Sequence, residues 1–198
     1  MAAANQVRTP IFEGAFAQYL VNGDENDQGV LVYSIRAVFD DLDGYDPENP
    51  KSAPKWAQAA IKAALEMGKS KKWEGKIPTN LTMPFKNGDD SDKPEFHGKI
   101  YSNFKSYKRR PPIIGPDGQA MMQIDEDTIY SGAKFRAVVQ FAPYRNDAGG
   151  KGVSAYIVAI QKVADGERKD GSISESQAEG MFDAVGDTSD AEHDPMFD

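Results

Sequence analysis

Two long runs rich in β-branched and aromatic residues, 134–144 and 152–163, flank the turn-forming sequence Asn146-Asp147-Ala148-Gly149-Gly150-Lys151, and this pairing constrains the fold more than any other feature. Asparagine, aspartate and glycine supply the backbone freedom a tight reversal needs, so the spacing predicts a long antiparallel hairpin. Strand periodicity puts Phe135, Val139 and Phe141 on one face, and Lys134, Arg136 and Tyr144 on the other. A hairpin alone is marginal in water, so its apolar face must be covered by further strands or a helix.

The rest of the chain offers such partners. Residues 30–39, Val-Leu-Val-Tyr-Ser-Ile-Arg-Ala-Val-Phe, read as a strand long enough to cross a small barrel. Residues 8–20, with Ile11, Phe12, Phe16 and Tyr19 among small residues, read as a less regular strand ending in Asn22-Gly23-Asp24. After Pro78, Pro84 and the polar loop 87–94, residues 96–110 read as another strand. One amphipathic helix is predicted from Ser52, as N-cap with Pro54 in the first turn, to a stop at Gly68, because Trp56, Ala60, Ile61, Ala64 and Leu65 recur at helical spacing. Five strand signals, one strong helix and long loops predict a mainly β chain closed into a small barrel rather than alternating βαβ units.

Composition narrows the chemistry. The 198 residues include no cysteine, which removes disulfides, thiolate metal sites and thiol nucleophiles. His97 and His193 are too far apart in sequence to read as a metal pair or a catalytic base beside a nucleophile. Asp40-Asp41-Leu42-Asp43-Gly44 and Asp89-Asp90-Ser91-Asp92 lack the register of a calcium loop and read as solvated turns. No catalytic site, metal or cofactor is therefore expected. No basic leader precedes an apolar run near Met1, and no run of eighteen apolar residues occurs, so neither secretion nor a membrane partner is expected.

Charge is segregated along the chain. The net charge is −8, yet residues 171–198 hold eight acids and no lysine or arginine, while residues 1–170 are balanced. Two units are expected: a folded domain over 1–170, and a disordered acidic interaction tail over 171–198, where too few large apolar residues exist to offset ordering entropy. Phe182 and the near-terminal Met196, Phe197 and Asp198 are the tail's candidate partner-binding residues, since a short aromatic anchor amid acids suits a basic-rimmed pocket.

The body carries its own charge pattern. Residues 99–110, Lys-Ile-Tyr-Ser-Asn-Phe-Lys-Ser-Tyr-Lys-Arg-Arg, hold five bases and three aromatics without an acid. If extended, Lys99, Tyr101, Asn103, Lys105, Tyr107 and Arg109 share one face, with Arg110 following, and Ile100 and Phe104 take the other. Phenol rings alternating with cations can stack unpaired bases while neutralising phosphates. Lys134, Arg136 and Tyr144 on the late hairpin, with Arg145 and Lys151 at its turn, extend the expected DNA-binding set. A solvated edge strand protected by lysines explains the same residues without a ligand. An acidic interaction or DNA-mimic module, and a metal-dependent nuclease using the Asp40–Asp46 loop, are the rival functions.

Several pieces in fixed order carry a family likeness: Arg8-Thr9-Pro10, Tyr130-Ser131-Gly132, Phe141-Ala-Pro-Tyr-Arg-Asn-Asp147, Gly150-Lys-Gly-Val-Ser-Ala155 and Val163-Ala-Asp-Gly-Glu-Arg168. With them the sequence resembles a family of phage single-stranded DNA-binding proteins, formerly a domain of unknown function, with an OB-fold. The resemblance implies an OB-type five-stranded β-barrel with elaborated loops that coats single-stranded DNA during phage replication or recombination. It also implies an acidic tail that regulates binding and recruits replication or recombination proteins, in the cytoplasm of an infected host.

Overall fold

The computed structural model describes residues 3–49, 51–171, 173 and 175–182. In chain order the elements are β1 (Gln6–Arg8), β2 (Phe12–Ala15), α1 (Gln18–Asn22), β3 (Asp24–Glu25), β4 (Leu31–Phe39), α2 (Gln58–Lys71), β5 (Phe85–Asn87), β6 (Ile100–Tyr107), β7 (Ile113–Ile114), β8 (Lys134–Arg145), β9 (Lys151–Ala164) and α3 (Glu175–Glu179). Short 3-10 turns lie at Gly88–Asp90 and Pro94–Phe96.

Five strands close a ring. β2 pairs with β4, β4 with β6, β6 with β9, β9 with β8, and β8 returns to β2. All these pairs are antiparallel except β6 with β9, which run parallel and share only Phe104↔Ala155 and Lys105↔Tyr156. This is the OB-type, mainly β arrangement expected from the sequence. The early part of β6 and the start of β9 are bridged instead by residues 82–87: Thr82 pairs with Gly152 and β5 pairs with β6.

Alternation along the ring strands sends the phenylalanines inward. Phe12 contacts Phe39 at 5.5 Å, Phe104 at 5.6 Å and Phe135 at 6.1 Å between ring centroids, and all four are buried. Aromatic pairs at such distances add about 0.5–1.5 kcal/mol each beyond their buried area. Gly14 makes room for this cluster, since a Cβ there would lie 2.6 Å from the Phe135 ring.

The expected strand over 8–20 is broken into three pieces. Pro10 has no N–H for the ladder, and at the break Thr9 Oγ1 accepts the Ala137 N–H at 3.0 Å, so β1 and β2 are successive halves along one edge of β8. Phe16 then takes a left-handed φ of 56°, and residues 18–22 form α1 rather than strand. The predicted helix starts later and runs further than expected. Ser52 does not cap it; its Oγ accepts the Asp46 N–H at 2.6 Å. Gly68 does not stop it either. The Trp73 ring packs over Gly68, so close that a Cβ there would lie 2.4 Å from it, and the helix continues to Lys71. Trp56 fills the space between Phe39 and Phe85, at 5.4 Å from each.

Two pieces of the family likeness meet in space. Tyr130 Oη donates to Asp165 Oδ1 at 2.8 Å, the Arg168 guanidinium covers the Tyr130 ring at 4.2 Å, and Gly132, at φ 104°, lies so close to the Glu167 carbonyl that a Cβ would be 1.8 Å away. These residues fasten the end of β9 to the entry of β8.

The stretch expected to be disordered begins with a one-turn helix, α3, and Phe182 is 80 % exposed. Met196, Phe197 and Asp198 lie outside the described residues. Among the described residues no helix is long and apolar enough to cross a membrane.

Candidate nucleic-acid interface

β6 has the two-faced character its sequence predicts. Ile100, Ser102 and Phe104 are buried, while Tyr101, Asn103, Lys105 and Tyr107 point outward. Register carries this outer face across four strands: Ser34 of β4 stands beside Lys105, Lys105 beside Tyr156 of β9, and Tyr156 beside Gln140 of β8. The Tyr107 and Tyr156 rings lie 6.0 Å apart at 48°, and Tyr107 is 43 % exposed. Burial pushes the Tyr156 phenol above its ordinary pKa, with Tyr107 and Tyr144 adding to the shift and a hydrogen bond with Ser154 opposing it. The phenol is therefore neutral near pH 7 and presents an uncharged ring to a ligand.

The other half of the face is organised around Arg36, in register with Asn103. Its Nε donates to Asn103 Oδ1 at 3.0 Å. Its guanidinium carbon lies 4.7 Å from the Tyr101 ring, 4.9 Å from Phe16 and 5.2 Å from Phe96. Lys93 approaches the Phe16 ring at 5.3 Å. Neither Arg36 nor Lys105 is ion-paired among the described residues. Three rings thus orient a guanidinium that has no carboxylate partner among those residues, a state that suits contact with a phosphate.

The remaining sequence-predicted residues divide. Lys99 precedes β6 and pairs with Asp40 at 3.4 Å. The chain leaves the strand at Lys108, whose φ is 66°, so Arg109 does not continue the parity of β6. Arg110 turns back to donate to the Val21 carbonyl at 2.6 Å and covers Tyr33 at 5.6 Å. Tyr144 faces outward against Gly152 and within electrostatic range of Tyr156, so it joins the face. Arg145 and Lys151 sit opposite each other at the hairpin end; Arg145 pairs with Glu74 at 2.7 Å.

Lys134 and Arg136 are not brought to this face. Each lies on β8, separated from β6 by β9 on one side and by β2 and β4 on the other. Lys134 reaches Glu13 at 2.9 Å, where Lys169 also binds at 2.6 Å, and Arg136 Nε donates to Gln161 Oε1 at 2.8 Å. Strand parity alone cannot tell which arc of a closed ring a residue occupies.

Arg36, Tyr156, Phe16 and Phe96 are the members that sequence reasoning missed. Period two did mark the first two: Ser34 and Arg36 alternate with Ile35 and Ala37, and Ser154 and Tyr156 alternate with Val153, Ala155 and Ile157. Phe96 carried no such signal, since it arrives from a 3-10 turn. Trp73, with an indole flanked by lysines in sequence, is not a stacking platform; it is 3 % exposed and donates from Nε1 to the Tyr144 carbonyl at 3.1 Å.

The acidic loops are occupied with local structure. Asp41 Oδ1 accepts the Asp43 N–H at 2.8 Å, Asp43 pairs with Lys55 at 3.7 Å, and Asp89 Oδ1 accepts the Gly98 N–H at 2.7 Å. Among the described residues no group of three or more histidines, cysteines or acids is placed to hold a metal ion.

Comparison with known proteins locates the fold. The OB-type ring is similar to that of the single-stranded DNA-binding protein from bacteriophage Enc34 solved in complex with ssDNA, at 18 % identity and TM-score 0.63, covering 85 % of this chain and 96 % of that one. It is also similar to gp2.5, a single-stranded DNA-binding protein encoded by bacteriophage T7, at 16 % identity and TM-score 0.54, covering 91 % of this chain and 96 % of that one. No curated protein sequence matches this chain. A family profile described as Enterobacter phage Enc34, ssDNA-binding protein, matches residues 46–194, well over half of the sequence. On that match the chain belongs to the Enc34 ssDNA-binding protein family.

Proposed function

We propose that this protein binds single-stranded DNA, coating it during phage replication or recombination without catalysing a reaction. The observation that carries the reading is one outer surface, formed by β4, β6 and β9, on which the Tyr107–Tyr156 ring pair stands beside Lys105 and the ring-held Arg36. Unpaired bases stack on exposed rings for about 1–3 kcal/mol each, and the two cations neutralise phosphates without first giving up a carboxylate. Duplex DNA hides its base faces and gains only the cationic part. In OB-folds the face of the second and third strands, with the loops joining strands one to two and four to five, forms the nucleic-acid surface, and β4 and β6 hold the places of the second and third strands in this ring.

The acidic tail supplies regulation in this reading. Residues 171–198 carry eight acids, enough to compete with phosphates for the same cations at low salt. When DNA displaces it, the tail is free to recruit replication or recombination proteins. Family membership and the folds of the Enc34 and T7 proteins support the reading.

Fluorescence anisotropy with labelled oligo-dT and a duplex of equal length, across a salt series, tests it. Tight binding to oligo-dT that weakens steeply with salt, little duplex binding, and a gain in affinity for a chain ending at residue 170 are expected. Equal affinity for the duplex rules out base stacking as the source of binding.

A further inference from the structure

Tyr101 belongs to two neighbourhoods. Its ring is held by Arg36 at 4.7 Å and Phe96 at 5.5 Å, and the same side chain lines a cavity of about 430 Å³ between β5 and the loop that follows β4. Tyr45, half-buried, lines it from that loop, while Met83 and Phe85 are buried and give it an apolar floor. Lys86 and Asn87 border it from β5, and Lys86 is exposed and without an ion-pair partner among the described residues. Burial, reinforced by Asp90 and Tyr101, pushes the Tyr45 phenol above its ordinary pKa, so this ring is neutral near pH 7.

The lining combines two phenol rings, an apolar floor, an amide, the exposed Asp90 carboxylate and the Lys86 ammonium, unpaired among the described residues, and so can meet a nucleotide's flat faces with rings, a base N–H with the carboxylate and the anionic link with the ammonium. A ring already fixed by its neighbours loses little freedom when a base stacks on it. We propose that this cavity is a nucleobase subsite at one end of the single-strand track, where Tyr45 and Tyr101 hold one unstacked base and Lys86 meets its phosphate. It rests on the single-strand reading above and adds a defined end to the track.

The full-length protein, Tyr45→Ala and Lys86→Ala are titrated by anisotropy with oligo-dT of increasing length. The wild type gains affinity with each added nucleotide until the track is full. Tyr45→Ala matches it on short strands, reaches its plateau one nucleotide earlier, and is about tenfold weaker on long ones. Lys86→Ala, a surface change that leaves the fold intact, lowers the salt slope by about 0.7 on long strands only. Affinities equal to wild type at every length for both variants overturn the subsite while leaving the single-strand reading standing. A uniform loss at every length marks Tyr45 as structural and overturns it too. If the wild type binds no strand of any length, the broader reading fails first and the subsite with it.

Discussion

Tyr107 and Tyr156 come from strands that run parallel, β6 and β9, and their rings meet 6.0 Å apart on the outside of the ring of strands. Two rings so placed form a platform wide enough to stack more than one base. Replacing either with alanine is expected to weaken oligo-dT binding by about 1–3 kcal/mol, roughly fivefold to over a hundredfold, with thermal stability nearly unchanged for the exposed Tyr107 and lowered as well for the half-buried Tyr156. Isothermal titration calorimetry beside a melting curve separates the two effects.

Arg36 is held by aromatic faces rather than by a carboxylate. Arg36→Met should lower the slope of log K against log salt by about 0.7, the signature of one lost phosphate contact to a single strand. Arg36→Lys should keep the slope but lose several-fold in affinity, because an ammonium lacks the planar stacking and the fixed Nε bond to Asn103. An unchanged slope in the methionine variant would falsify the phosphate role.

Glu13 links β2 to Lys134 and Lys169. Burial alone raises its pKa, but hydrogen bonds from Lys169 and Lys134 outweigh that effect and hold the carboxyl below its ordinary value of 4.5. A lowered folded pKa means stability that is present above the unfolded value and is lost as pH falls through the folded one. Glu13→Gln should therefore cost up to about 1 kcal/mol at neutral pH, since both lysine partners are partly exposed and solvent screens the pairs. Its melting temperature should converge with wild type as the buffer is taken below pH 4.5, the ordinary value.

Ser102 points inward from β6, and its Oγ is buried without a hydrogen-bond partner among the described residues. Ser102→Ala removes an unsatisfied hydroxyl and should stabilise the fold by up to about 1 kcal/mol, leaving binding intact. Chemical denaturation with an unchanged m-value is the check.

Gly68→Ala sets helix propensity against packing. Alanine is favoured over glycine in a helix by about 1 kcal/mol, but the new Cβ meets a fixed indole. Overpacking of this kind costs about 1–3 kcal/mol, so net destabilisation is expected in a thermal melt.

Period two identified the inner and outer residues of β6 and β8, and the turn at 146–150 set the hairpin, because both depend only on local backbone geometry. The same logic joined Tyr101, Asn103, Lys105 and Tyr107 correctly, and it lost Arg109 and Arg110 where Lys108 enters the left-handed region. Lys134 and Arg136 share the parity of Tyr144 yet serve Glu13 and Gln161, since a closed ring turns one parity through every direction around its axis.

The mainly β content, the charge division between body and tail, and the cationic-aromatic face of β6 were all legible along the chain, for each is written in neighbouring residues. The clustering of Arg36, Phe16, Phe96 and Tyr101, and the completion of the Tyr107 platform by Tyr156, were not. Those residues are distant in sequence, and ring closure alone brings them within reach of one another.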